Sequence, residues 1–423
     1  MPDATPAPTL PPRNLRVSPD RIEADLTALS AITDPDRPWT RRAFSPRFDE
    51  GRAWVAGAFT RAGLTLRTDA GGNLIGTRAG TEPGLGTIML GSHSDTVPDG
   101  GRFDGTAGVI AALEVARMLA ERGIALRHDL AVVDFLAEEV SVFGVSCIGS
   151  RAMAGVRPEA WLGLTHEGRT LAQALRDVGG DPERLEPATG ICAFLELHIE
   201  QGTVLESGPI DLGLVTAIAG IERIEVVLTG QADHAGTVPM GRRADALVAA
   251  AALIGQIDAE ATARAARGHF TATVGEFAIE PGAANVVPGR ARLLIDARAP
   301  ERAAMQDFLA WVEARVADQP AGITGTARLL SDNQPMPMDA GLVETLAAAA
   351  DRVGASHCRM VSGAGHDAAF MARIAPAAMV FVPCRGGRSH CPEEWAEPDA
   401  IAIGAEVMAE AVLAIDAGEG LGG

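Results

Sequence analysis

The chain has 423 residues, more than a single hydrophobic core usually organises, so two or three domains are expected. It carries 36 basic and 55 acidic residues, a net charge of −19, and every basic residue is Arg; that surface repels polyanions and makes nucleic acid a poor partner. With 47% hydrophobic and 22% charged residues, and no uninterrupted apolar run near the roughly 18 residues that span a bilayer, the composition suits a packed chain with no membrane segment.

The Pro-rich start, Met1 to Asp20, lacks a basic stretch followed by an apolar one, so residues 1–18 are expected to be a disordered tail rather than a secretory signal. The absence of Lys and Tyr excludes a Schiff-base lysine or a tyrosine acid. Five Cys (Cys147, Cys192, Cys358, Cys384, Cys391) with no CxxC pair fit a reducing cytoplasm.

Along the chain, Thr87–Leu90 opens a short apolar strand ending at Gly91. Gly108–Gly123 follows with apolar residues at helical spacing and a C-terminal stop. Leu130–Leu136 is a continuous apolar run of the kind found inside parallel sheets, and Ala193–Ile199 is another strand. That rhythm predicts an α/β layered domain. From Gly213 the pattern changes to strand 221–228, helix 244–257, strands 271–277 and 290–298, helix 301–316 and strand 324–330. This is the ferredoxin-like split βαβ order. A unit spanning 213–329 is therefore expected to be inserted into a domain formed by 19–212 and 330–423, which resumes with helix 340–353, strand 378–382 and helix 401–415.

Five segments hold metal-type ligands, each at a strand end or in the loop beyond it: His93 in GSHSDTVP, Asp104 in GRFDGTAG, the doublet Glu138–Glu139, His198 in LHIEQG, and His390 in GGRSHCP. Ligands of open α/β sheets gather beyond the carboxyl ends of the strands, so these positions should converge on one edge. Imidazoles with carboxylates suit Zn²⁺, or Mn²⁺, Co²⁺ and Ni²⁺, better than Ca²⁺ or Mg²⁺. Five side chains exceed the usual three of a mononuclear catalytic zinc, whereas two ions about 3.5–4 Å apart would use them all. Asp104, short and flanked by glycine, is the natural bridge. Asp95 is placed to take the other N–H of His93. Within the acidic doublet, one carboxylate can ligate while the other faces the reacting water as a general base. Taken alone, an acidic doublet is usually solvated surface and a lone histidine is usually packed in the core; five segments in one topological register outweigh those readings. Cys391, beside His390, is expected to be a packed thiol rather than a ligand.

SHSDTVPDGGRFDGTAGV, the doublet, LELHIEQG, GQADHAGTVPM and GGRSHCPEEW together resemble the dinuclear-metal amidohydrolases of the aminoacylase and carboxypeptidase superfamily, in the hydantoinase/carbamoylase branch. Within it the chain looks most like N-carbamoyl-L-amino acid hydrolases, with allantoate amidohydrolases and β-ureidopropionases as relatives. The resemblance implies a zinc-exopeptidase-like catalytic domain and two divalent ions per subunit. His93, Asp104 and His198 would hold one ion; Asp104, Glu139 and His390 the other; Glu138 would be the base. It further implies that the inserted domain serves as lid and homodimer interface, with His234 acting in cis or from a dimer mate. Gln201, His234, Asn285 and Arg298 would contact a small anionic ureido substrate. An Arg fork suits a carboxylate, although an ordinary surface ion pair is a serious alternative for Arg298. An aminoacylase or dipeptidase is disfavoured, because peptidase relatives usually carry a carboxylate at the position of His198. Val140-Ser141-Val142 departs from the more polar residues usual after the doublet and leaves the substrate subclass open.

Overall fold

The computed structural model describes residues 15–420. It divides into two compact units, the first containing the chain up to Thr216, Met338–Met360 and the chain from His366 on, the second Ala217–Pro337 with Val361–Gly365.

The first unit is built on apolar runs long enough to cross a buried sheet. Its strands are β1 (Thr65–Thr68), β2 (Leu74–Arg78), β3 (Thr87–His93), β4 (Asp129–Phe135), β5 (Ile191–Ile199) and β6 (Leu212–Ile218), with β8 (His357–Ser362) and β9 (Ala377–Val382) later in the chain; β7 (Met336–Pro337), the last residues of the second unit's main segment, pairs with the end of β6. They form a mixed nine-stranded sheet with β1-β2-β4-β3-β5-β9-β6 in sequence across it. The central four, β4, β3, β5 and β9, are mutually parallel; β2 and β6 flank them antiparallel. Burial on both faces explains why β9 reads as an unbroken apolar run and β4 as one interrupted only by the buried Asp134 after its first residue.

Helix Thr106–Glu121 packs on β3 and β5 and is in turn covered by helices Pro19–Ser30 and Pro398–Asp416. Its apolar spacing suggests a solvated face, yet even Glu114 is buried. Arg21 of the covering helix compensates that charge, its Nε 2.6 Å and Nη2 2.7 Å from the two Glu114 oxygens. The residues before that helix are also placed: Leu15 and Val17 are buried, and the Val17 N–H reaches Glu406 at 3.2 Å. The tail expected over 1–18 thus gives way to packed chain from Leu15, because two apolar side chains find the core; residues 1–14 lie outside the described residues.

The second unit follows its own alternation of buried and exposed positions. Strands Gly220–Thr229, Thr271–Glu280, Arg290–Ala299 and Thr324–Asn333 form an antiparallel sheet in the order second, third, first, fourth. Helices Ala246–Ala265 and Arg302–Ala317 pack on it over a core that includes Ile224, Leu253, Leu293 and Phe308. The helix Ala246–Ala265 is long and apolar enough to cross a membrane by length and composition, although no membrane segment is expected from the sequence. Its buried side, Ala246, Ala249, Ala250, Leu253, Ile257 and Ala261, belongs to this core. The unit's bounds differ from 213–329 for a structural reason. β6 pairs with β9 through Gly213–Val215 and so belongs largely to the first sheet, while the fourth strand continues to Asn333.

Asp416, at the end of the last helix, accepts the backbone N–H groups of Arg127 (2.8 Å) and His128 (2.9 Å) and lies 2.9 Å from His128 Nδ1. Burial acts to raise its pKa, but these hydrogen bonds outweigh burial and lower it. A lowered carboxyl pKa gives stability that is complete above the unfolded value, near 3.9, and is lost as pH falls through the native one. Asp416→Ala should therefore lower unfolding stability by about 1–3 kcal/mol at pH 7. Denaturant titrations of both proteins should show that difference shrinking below about pH 4.

Candidate metal centre

Each ligand-type side chain is delivered by the carboxyl end of a parallel strand or the loop after it. His93 ends β3, His198 is the penultimate residue of β5, Glu138 and Glu139 follow β4, and His390 lies beyond β9. Asp104 stands in the turn before helix Thr106–Glu121. Ligand atoms of His93, Asp104 and His198 lie within 4.8 Å of one another, and so do those of Asp104, Glu139 and His390. Asp104 belongs to both groups. Its Oδ1 is 3.6 Å from His93 Nε2 and 3.2 Å from His198 Nε2, while its Oδ2 is 3.5 Å from His390 Nε2. His390 Nε2 is also 3.0 Å from Glu139 Oε1.

The donor set fits divalent cations. His93 Nδ1 is engaged by the Asp95 carbonyl at 3.0 Å and His198 Nδ1 by the Ile199 carbonyl at 2.9 Å, which turns both Nε2 atoms toward Asp104. His93 Nε2 is buried with no hydrogen-bond partner among the described residues, an orphan that a cation would satisfy. His198 Nε2 accepts the Gly105 N–H at 3.2 Å and lies equally far from Asp104 Oδ1. Nitrogen and carboxylate donors in this mixture match Zn²⁺ and its transition-metal neighbours.

Charge is strongly coupled here. Burial would lower the pKa of His93, but Glu138, Asp104 and Asp95 outweigh it and hold it well above its usual value. His198 is likewise raised, Asp104 overcoming burial. Hydrogen bonds to Asp104 and Glu139 push His390 up to about 11. Burial favours a neutral Asp104, yet His198, His390 and His93 pull its carboxyl well below the ordinary range. Glu138 goes the other way: burial lifts it far up, His93 opposes, and Glu139, Asp367 and Asp95 add to the rise.

One expectation needs correction. Asp95 does serve His93, but through its backbone carbonyl; the carboxylate is 3.6 Å from Nδ1. Its oxygens instead accept the backbone N–H groups of Glu138 and Glu139, each at 3.2 Å, and so aim the doublet. The sequence carries no sign of that contact, because the partners are 43 and 44 positions away. Gln201, expected on substrate, donates its amide to Asp104 Oδ2 at 2.6 Å. Ser389, which no motif marks as a site residue, places its hydroxyl 2.5 Å from the same oxygen.

The remaining candidates belong to the second unit. Strand residues Asp233–His234 pair with Val286–Val287, and the Ala235 N–H donates to the Asn285 carbonyl at 2.9 Å, so His234 and Asn285 are held side by side. His234 is exposed, its Nδ1 accepting the Gly236 N–H at 3.0 Å. Arg298 is braced by Asp296 (Nε to Oδ1, 2.7 Å) and by the Gly363 carbonyl (2.7 Å). Cys391 is a free, half-buried thiol outside both ligand groups.

Fold and donor set together define an α/β enzyme scaffold with a candidate metal cluster on its sheet edge. Residues 89–414 match peptidase family M20/M25/M40, and the chain belongs to that family. It is 37% identical to an N-carbamoyl-L-amino-acid amidohydrolase of Paenarthrobacter aurescens, over 94% of this chain and 98% of that one. It is 35% identical to an allantoate amidohydrolase of Bacillus subtilis, over 88% and 91%. A crystal structure of a hydantoinase/carbamoylase family amidase from Burkholderia multivorans superposes with a TM-score of 0.89 at 34% identity, covering 95% of this chain and 98% of that one.

Gly105 adjoins Asp104 in a left-handed conformation (φ 61°), and a Cβ there would occupy the space of the His93 imidazole. Gly105→Ala should retain the fold but displace His93. Metal analysis after dialysis against a trace-metal buffer should then show affinity reduced roughly tenfold or more.

Proposed function

We propose that the protein is a metal-dependent amidohydrolase that cleaves the ureido C–N bond of an N-carbamoyl-L-amino acid, releasing the amino acid, ammonia and carbon dioxide. The observation that carries the reading is the buried carboxylate of Asp104, shared between a His93–His198 group and a Glu139–His390 group, with Glu138 beside it. His93, Asp104 and His198 would hold one divalent ion, and Asp104, Glu139 and His390 a second. Zn²⁺ fits this set, and so do Mn²⁺, Co²⁺ and Ni²⁺. Two such ions supply Lewis acidity, polarising the scissile carbonyl and lowering the pKa of water.

The chain's own residues do the rest. Glu138, with Oε2 3.6 Å from His93 Nε2, takes a proton from the attacking water and hands it to the leaving nitrogen. His234 and the neighbouring Asn285 donate to the oxyanion, each worth a few kcal/mol. Arg298, its guanidinium oriented by Asp296, pairs with the substrate carboxylate. Gln201 steadies Asp104 and borders the substrate. The second unit, with its βαββαβ order, acts as a ferredoxin-like lid and as the interface of a homodimer.

A second reading rests on the 35% identity to the Bacillus subtilis allantoate amidohydrolase: the ureido substrate is allantoate. The metal-reconstituted enzyme tested on N-carbamoyl-L-amino acids, allantoate, N-acetyl amino acids and dipeptides separates the two. Turnover confined to N-acetyl or dipeptide substrates would overturn both. Glu138→Gln should reduce kcat by about 10²–10⁴-fold with the bound metal nearly unchanged; full activity would end the general-base role. Arg298→Ala should raise KM sharply for carboxylate substrates and leave metal content intact.

A further inference from the structure

We propose that Glu394 and Ser389 are positioning residues for Asp104, fixing both its backbone and its carboxylate, an inference that rests on the two-ion reading above. Glu394 is fully buried. Its Oε1 accepts the backbone N–H groups of Phe103 (2.7 Å) and Asp104 (3.0 Å). Its Oε2 lies 2.8 Å from the Ser389 hydroxyl, which in turn lies 2.5 Å from Asp104 Oδ2. One carboxyl group therefore holds the residue at its main chain and shares with its side chain the Ser389 hydroxyl, whose single proton serves Asp104 Oδ2.

The need for such a grip is local. Asp104 sits in the run Gly100-Gly101-Arg102-Phe103-Asp104-Gly105, whose glycines resist little when the chain moves. A Cβ on Gly101 would overlap the Glu394 carboxyl group, so the glycine leaves room for the brace. The two segments are also joined beside it, Phe103 meeting Trp395 edge-on at 5.3 Å and the Arg102 guanidinium 4.7 Å from the Trp395 ring. Ser389 immediately precedes His390, so a single turn delivers both a candidate ligand and the hydroxyl that steadies the shared carboxylate. Ser389 and Gln201 both donate to Oδ2, the oxygen facing His390, whereas Oδ1 faces His93 and His198. Loss of the brace should thus weaken the ion on the Glu139–His390 side more than the other. Contacts of this kind, one step removed from the metal, typically change affinity by about 10–100-fold.

The test is Co²⁺ and Zn²⁺ binding by the whole protein stripped of metal, with stoichiometry from elemental analysis and site geometry from the visible spectrum of the Co²⁺ form. In Glu394→Ala one of the two ions should bind about 10–100-fold more weakly, with an altered Co²⁺ spectrum, while Glu394→Gln, which keeps an acceptor for both N–H groups and a donor for Ser389, should restore both. Ser389→Ala removes only the hydroxyl and should give a smaller loss confined to the same ion, so the idea remains testable if Glu394→Ala does not fold. Two ions bound with unchanged affinity and spectrum in Glu394→Ala, or in Ser389→Ala where the former is insoluble, would overturn the positioning role and leave the two-ion reading standing. Failure of the wild-type chain to bind two ions would overturn that reading itself.

Discussion

A carboxylate carried out of water must find compensating charge, and Asp104 finds it in three imidazoles that reach it from three different parts of the fold. That constraint organises the first unit. The parallel strands β3, β4, β5 and β9 are spaced so that their carboxyl ends hold His93, the Glu138–Glu139 doublet, His198 and the loop to His390 around one point. A chain with net charge −19 would not gather Asp95, Asp104, Glu138, Glu139 and Glu394 in its interior without cations or protons between them. The raised histidine pKa values describe the proton version of that balance; divalent ions give the other.

Asp95 ties two halves of the arrangement together. Its carbonyl sets the ring of His93, and its carboxylate sets the backbone of Glu138 and Glu139. The imidazole that meets Asp104 and the acid proposed to move the proton are thereby placed by one residue. Their relative geometry is a property of a single turn rather than of two independent loops.

Much of this was legible in the sequence because the signals were dense. Largely apolar runs marked the parallel strands, and five ligand-type segments lay at their ends or in the loops beyond. The strand and helix order of the second unit followed from its alternating pattern. What escaped depended on partners distant in sequence. β1 and β2, at one end of the sheet, are short, four and five residues, and carry little periodicity. Leu15 and Val17 look like part of a Pro-rich tail until their core contacts are known. Asp95 and Glu394 act through backbone N–H groups, which every residue has, so no side-chain pattern announces the partner.

Ala137, Gln201 and His390 all have left-handed backbones, with φ of 54°, 53° and 56°, and all three lie in or beside the cluster. Glycine would relax each of them, and the chain uses 48 glycines elsewhere. The methyl of Ala137 is buried among Leu136 and Ile148, the amide of Gln201 holds Asp104, and the imidazole of His390 faces Glu139. Local backbone ease would favour glycine at each position, but glycine at 201 would release Asp104 and at 390 would remove a candidate ligand, so the strain stays where the side chain has a task.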